Sequence, residues 1–410
     1  MKVLELPAYF QPESMSSAHL DENLRQAIVD AGMELVIYCP TPTRGITPDI
    51  RKEYKTRKQD ILNGGSITVH RFPLYGEGKN PVLRALRYTI SCVKQFNRAV
   101  FAKDARSCDV MFITSTPPIK GAMAGLAKKF NHKPMVYELQ DIFPDSLAGS
   151  GLAKKDGVLW KIGRVIEDFT YRSSDRIIVI SEDFKNNIMA KGVPAEKIKV
   201  IYNWVDENAV QPVAKDDNPL FEEFGLSREK FTVVYAGNLG NAQNINVVLD
   251  AAHELPEVQF ALFGTGGLEN EIRMRIQHED MTNVHLNPLQ PYERVSQVYS
   301  LGDVCVVSCK PGLGGSAMPS KTWTIMSCGR PVIASFDEGE LKDILEKNNC
   351  GVFTHAGDLQ EFMDGIRCLA SEPSLCEEMG RNARQFILDN LTKETGTKKY
   401  VDVIKSFEKQ

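Results

Sequence analysis

No CxxC pair, no DxD motif, no glycine fingerprint after the first strand and no long apolar run occur in this chain of 410 residues. Each absence excludes something. The nine cysteines mostly sit within apolar runs, and Cys305 and Cys309 have no second pair nearby at metal-ligand spacing. Buried reduced thiols are therefore expected, and a zinc site is not. Without DxD, no required metal is expected, and no cofactor either. Without GxGxxG after the first strand, an NAD(P) fold is set aside. No apolar run reaches the roughly 18 residues of a membrane-crossing helix. The N-terminus MKVLELPAYF lacks the three regions of a signal peptide and reads as a first β-strand. A cytoplasmic protein that does not span a membrane is the expectation, with no nucleic-acid partner.

Apolar residues make up 42% and charged residues 25%, which is the balance of a globular protein. The length suggests two domains. Net charge is only -4, but it is unevenly shared: residues 1–205 hold 30 Lys+Arg against 22 Asp+Glu, and residues 206–410 hold 19 against 31. The basic excess concentrates from Lys79 to Lys103, where six cations stand without one acidic residue. The interleaved apolar residues have a largely helical spacing. Two readings stand side by side: a basic amphipathic helix on an anionic membrane surface, or a core-packed helix with a solvated basic face.

In chain order, apolar strand-like runs alternate with amphipathic helices, first over 3–202 and again over 231–335, with three further helices in the tail. The doubly wound pattern starts at once: strand, small-residue loop with Ser16 and Ser17, helix, second strand. Residues 41–65 read as a polar excursion. The strand near 134–139 runs into Gln140 and Asp141 on the ligand side of its sheet. Residues 207–230 are polar with two prolines and read as a linker. The expected division is 1–206, 207–390, and a C-terminal helix in 391–410 that packs back on the first domain. The stretch 310–335 reads as a flexible glycine loop, then Pro319-Ser320-Lys321 opening a short helix, then a strand. Unpaired amides, the Ser320 hydroxyl and the Lys321 ammonium would suit an anion such as a diphosphate. The plain alternative is a capped helix with a solvated lysine.

These residues in this order resemble the retaining glycosyltransferases of family 4, which have the GT-B fold of two facing Rossmann-like domains with a cleft between them. The resemblance runs over nearly the whole chain. It is carried by Val234-Tyr235-Ala236-Gly237-Asn238-Leu239 with Ala242-Gln243, by Leu262-Phe263-Gly264-Thr265-Gly266, by Gly302-Asp303-Val304, and by Pro319-Ser320-Lys321 with Met326-Ser327-Cys328-Gly329-Arg330-Pro331. In the first half, Glu138 to Ser146 is similar to a segment of exopolysaccharide and O-antigen transferases of the N-acetyl-fucosaminyl type. The resemblance implies a hexosyltransferase that moves a sugar from a nucleotide sugar, UDP-linked, to a lipid-linked or saccharide acceptor. Gly237, Asn238, Gly264, Ser316, Ser320 and Thr324 would hold the donor, and Lys321 would offset the leaving diphosphate's charge. Ser16 and Ser17 would lie on the acceptor side. Ser316 and Thr324 stand where most members carry two glutamates, and Gln140 where many carry a histidine. Retaining transfer tolerates the second change, because the leaving phosphate oxygen can take the acceptor's proton; Asp141 then either orients hydroxyls or simply caps a strand–helix junction. A non-catalytic nucleotide-sugar-binding subunit and a UDP-sugar 2-epimerase are the alternatives.

Overall fold

The computed structural model describes residues 1–13, 18–76, 78, 80–146, 154, 156–314 and 317–408. The chain divides into two compact units, Met1–Tyr202 with Gly396–Gln410, and Asn203–Thr395.

The first unit is built on eight strands: β1 (Lys2–Glu5), β2 (Glu34–Pro40), β3 (Gln59–Leu62), β4 (Ile67–Phe72), β5 (Val110–Thr114), β6 (Met135–Leu139), β7 (Arg176–Val179) and β8 (Ile198–Val200). Their order is β3-β4-β2-β1-β5-β6-β7-β8, and all pairs are parallel except β3 with β4. The central strands are apolar and buried on both faces, as parallel strands covered by helices must be. Helix α1 (Ala18–Asp30) returns the chain from β1 to β2, whereas α2 (Pro81–Phe101), α3 (Lys120–Asn131) and α4 (Val158–Ser173) carry it the other way, to β5, β6 and β7. With right-handed crossovers, those three line one face of the sheet together.

Two expectations change here. The excursion over 41–65 is ordered: it contains a helix, Pro48–Thr56, and the edge strand β3. And the cations of α2 do not form one solvated face: Arg84 and Arg98 are exposed, but Arg87 and Lys94 turn inward. Arg87 is buried, and its guanidinium donates to Tyr75 O (3.1 Å) and Thr43 Oγ1 (2.9 Å). Lys94 reaches back to Pro73 O (2.7 Å), and Arg98 stacks over the Tyr38 ring. Arg84 stays exposed beside Val82, Leu86, Val93 and Phe101, which are exposed as well.

The second unit carries a fully parallel sheet of β9 (Thr232–Asn238), β10 (Gln259–Thr265), β11 (Val284–Asn287), β12 (Val304–Ser308), β13 (Val332–Phe336) and β14 (Gly351–His355), in the order β11-β10-β9-β12-β13-β14. Helices α5 (Ile245–Glu254), α6 (Lys321–Ser327), α7 (Leu359–Ser371) and α8 (Pro373–Asn390) cover it. Val233, Tyr235 and Leu262 of the strands pack with Val248 of α5 and Phe362 and Ile366 of α7 in one core. The expected linker is part of this unit rather than a solvated tether: Val210, Asn218, Leu220 and Phe221 have no exposed surface. Arg384 of α8 fixes it by donating to Glu207 O (2.8 Å) and Val210 O (3.0 Å), and also to Ser327 Oγ (2.7 Å) at the end of α6. The last helix, α9 (Lys393–Lys405), returns to the first unit, where the Tyr400 ring lies edge-on to Phe112 of β5.

Candidate functional site

In a doubly wound sheet, ligands sit beyond the carboxyl ends of the strands where the winding reverses. In the second unit that place is the end of β9, whose neighbours are β10 on one side and β12 on the other.

Tyr235 is the mid-strand residue of β9 that points the same way as Gly237, since strand side chains alternate. It is fully buried, and its hydroxyl donates to Asn238 O (2.7 Å), which turns the chain out of the strand. Gly237 has φ +145°, and a Cβ built there would lie 2.7 Å from Lys321 Nζ. The ammonium itself lies 4.2 Å from the centre of the Tyr235 ring. Gly264 pairs with Gly237 in the β9–β10 register, and a Cβ on it would meet Gly237 O at 2.4 Å. Its role is to let the two strand ends close up, so that the turn after β9 sits against the one after β10. Asn238 is exposed and donates from Nδ2 to Gln243 Oε1 (3.2 Å), and Lys310, following β12, reaches Asn241 Oδ1.

Lys321, the first residue of α6, is half-buried, and this surrounding pushes its ammonium down to about 8. Among the described residues no carboxylate pairs with it. The cation is thus held over an aromatic ring, beside a glycine whose missing side chain leaves room for the ammonium. The structure therefore gathers Lys321, Gly237, Asn238 and Gly264 in one place, with Thr324 one helical turn further along α6.

The rest of the expected anion loop differs. Gly312 N and Gly314 N already donate to the Asp337 carboxylate, at 3.0 and 2.7 Å, so these amides are committed. Ser320 is exposed, has helical dihedrals and makes no capping bond. Ser316 lies outside the described residues.

In the first unit the reversal lies at β1, and a different group stands near it at the ends of β5 and β6. Gln140 N donates to Ser115 Oγ (3.1 Å), and its Nε2 donates to Glu138 Oε1 (2.9 Å). Tyr400 of α9 donates to the same oxygen at 2.8 Å. Burial, helped by the negative charge of Asp21, pushes the Glu138 carboxyl up to about 7, against the two hydrogen bonds that favour its charged form. Asp141 follows on the exposed strand end above a small hollow lined by Pro118, Tyr137, Phe143 and Tyr171. Desolvation by those neighbours raises its carboxyl, opposed by Ser146 and by the Ile142 amide. Ser16 and Ser17 lie outside the described residues. Four contributors escaped the sequence reading. Strand alternation would have given Tyr235, but nothing local marks Glu138 with Tyr400 or Asp337, because their partners lie far away in the chain.

Two Rossmann-like sheets with helices on their faces, parallel but for the edge strand β3, are the GT-B class of fold. Residues 216–386 match the family model of glycosyl transferases group 1, and residues 22–204 match that of the glycosyl transferase 4-like domain. The chain is a glycosyltransferase of this group. It is similar to the putative colanic acid biosynthesis glycosyl transferase WcaI of Escherichia coli, at 26% identity over 330 residues, 79% of this chain and 77% of the relative. The probable glycosyltransferase WbjE of Pseudomonas aeruginosa is 26% identical over 53% of this chain and 54% of its own length. In fold, the chain is similar to Anabaena HepE in complex with UDP, with a TM-score of 0.74 at 18% identity over 99% of this chain and all of the other. Sucrose-phosphate synthase of Thermosynechococcus elongatus superimposes with a TM-score of 0.78 at 15% identity, over 99% of this chain and 98% of the other.

Proposed function

We propose that the protein transfers a sugar from a UDP-linked donor to a lipid-linked or saccharide acceptor in cell-surface polysaccharide synthesis, with retention at the anomeric carbon. One observation carries this reading: the Lys321 ammonium, without a carboxylate partner among the described residues, beside Gly237 at the winding reversal of the second sheet. The relatives add direction, since one is named for colanic acid biosynthesis and the HepE fold has also been solved with UDP-glucose.

In this reading Gly237 and Asn238 let the backbone approach the diphosphate, and Lys321 meets its charge as the sugar–oxygen bond breaks. The acceptor hydroxyl forms the new bond to the anomeric carbon on the face the diphosphate leaves, and the departing phosphate oxygen takes the hydroxyl proton. Gln140, its amide oriented by Glu138, and Asp141 orient sugar hydroxyls. Ser320, Thr324 and Ser316 complete the donor side, with Ser16 and Ser17 on the acceptor side. A lipid-linked acceptor places the enzyme at the cytoplasmic face of an anionic membrane, in contact through residues 79–103. No helix among the described residues is long and apolar enough to cross one.

The test is a thermal-shift panel of UDP, GDP, ADP, CMP and NAD on the wild type and on Lys321→Ala. A ligand that binds only the native state raises its melting temperature by mass action. A shift with UDP that disappears in Lys321→Ala is the expected result. No shift with any nucleotide would remove the donor site, and a UDP shift untouched by the substitution would remove Lys321 from it.

A further inference from the structure

The first unit carries an apolar surface that its own fold does not use. Of the 18 large apolar side chains exposed among the described residues, 11 lie on α2, α3 and α4, helices of only 21, 12 and 16 residues. On α2 the outward stripe is Val82, Leu86, Val93 and Phe101, with Val82 73% and Phe101 72% exposed. On α4 it is Val158, Leu159, Ile162 and Val165, with Val158 78% exposed. Between them α3 presents Leu126 and Phe130.

The three stripes belong to one surface, because the helices are in contact side by side. Phe130 of α3 meets Phe96 of α2 edge to face at 5.8 Å. Gly121 and Gly125 of α3 lie so close to α4 that a Cβ would come within 2.2 Å of Thr170 and 2.7 Å of Ser173. An apolar patch of this extent marks a site of contact with something else.

Charge and composition identify the occupant. Helices α2 and α3 contain no acidic residue. The two acids of α4 are tied to cations: Arg164 bonds Glu167 and lies 2.7 Å from Asp168, and Lys191 lies 3.0 Å from Glu167. Arg84, Arg98, Lys129, Lys161 and Arg172 stand exposed among the apolar residues. Aliphatic side chains set among cations match an anionic lipid surface, where the apolar groups enter the acyl boundary and the cations meet the headgroups. Protein interfaces favour aromatic and arginine anchors over Leu and Val.

We propose that α2, α3 and α4 together form a monotopic docking face that inserts its aliphatic stripe into an anionic bilayer. This deepens the contact through residues 79–103 proposed above, widening it by two helices and making it apolar insertion rather than adsorption of a basic helix. It does not depend on the sugar transferred.

The experiment is flotation of the full chain with vesicles of phosphatidylglycerol and phosphatidylethanolamine, compared with phosphatidylcholine alone. It uses low salt and about 0.5 M salt, which screens exposed charges. The variants are Leu86→Glu with Val93→Glu on α2, and Ile162→Glu with Val165→Glu on α4. All four positions are exposed, so the fold should persist, and the melting temperature and UDP shift of each variant check that independently. The wild type is expected to float with the anionic vesicles and to keep part of that binding at high salt. Each double variant is expected to lose about tenfold or more in partition, since every buried aliphatic group contributes strongly. If the α4 variant floats like the wild type while the α2 variant does not, the contact is confined to 79–103 and the wider face is wrong. Binding wholly abolished by salt would mean adsorption by charge alone and would overturn insertion. Failure to float, together with a light-scattering dimer dissolved by the α4 variant, would make the face an interface between copies and overturn the lipid assignment. A lost UDP shift with flotation intact would instead strike the donor site and leave this face standing.

Discussion

Lys321 is costly to keep in the empty protein. Its ammonium titrates near 8 in the fold and near 10.5 when unfolded. Between those values the unfolded chain holds more protons, so stability rises with pH across that window, and at pH 7 the residue destabilises. A bound diphosphate would restore the ammonium's ordinary proton affinity. UDP binding near pH 8 should therefore take up on the order of half a proton, read by calorimetry in two buffers of different ionisation enthalpy. Lys321→Met should raise the melting temperature of the empty protein at pH 7 by a few degrees, a usual trade of site against stability, and should abolish the UDP shift. Proton-neutral binding would show that the ammonium does not meet the ligand. The two glycines beside it separate by the same logic. At Gly237 a methyl group would strike the movable end of Lys321, 2.7 Å away, in a backbone region that costs a side chain roughly 1–3 kcal/mol. At Gly264 it would strike Gly237 O at 2.4 Å, which is backbone and cannot step aside. Gly237→Ala should mainly weaken UDP binding. Gly264→Ala should mainly lower stability, by about 2 kcal/mol or more in urea denaturation.

At the level of elements, most strands were legible in the chain and the facing of the helices was not. The parallel strands are apolar runs, such as Val110–Thr114 and Val304–Ser308, and these stand out in any sequence. β3, with the sequence Gln-Asp-Ile-Leu, is a polar edge strand and gives no such signal. The helical spacing of 81–101 was real, and its basic face was legible in part: Arg84 and Arg98 are exposed, whereas Arg87 goes inward because Tyr75 O and Thr43 Oγ1 receive it, and neither is visible from the helix alone. The union of β6 with α9 is equally long-range, a contact of Glu138 with Tyr400. That carboxyl titrates near 7 in the fold against 4.5 unfolded, so between those values the folded state holds more protons and stability falls as pH rises. Glu5 and Asp21 add negative charge nearby, and the buried Lys120, pushed down to about 8, acts above that window. Glu138→Gln keeps an acceptor for the Tyr400 hydroxyl and removes the titration. Its stability should change less between pH 5 and pH 7.5 than that of the wild type, by about 1–3 kcal/mol in chemical denaturation. Parallel curves for the two proteins would show that Glu138 stays ionised throughout.

For the whole molecule, the strand–helix alternation made both Rossmann-like sheets readable, because each repeats the same local grammar. The candidate site was legible in part: Gly237 and Lys321 stand in separate motifs that the fold brings together, while the commitment of the Gly312 and Gly314 amides to Asp337 depends on a residue from the next strand's end. The stretch 207–230 looked like a tether because it is polar, but Asn218 donates to Gln297 O (2.7 Å) and Arg384 gathers Glu207, Val210 and Ser327 onto one guanidinium. The second unit therefore starts before its first strand, and its own core lies beneath the loops after β9 and β10. UDP without a sugar should then act locally. Hydrogen exchange is expected to slow at 235–243, 264–268 and 320–327, while amides of β1 to β8 exchange as in the empty protein, because a ligand stabilises only the openings that break its site. Protection appearing first at 135–146 would move the nucleotide to the unit that holds Gln140 and Asp141, and would reverse the donor and acceptor roles proposed for the two sheets.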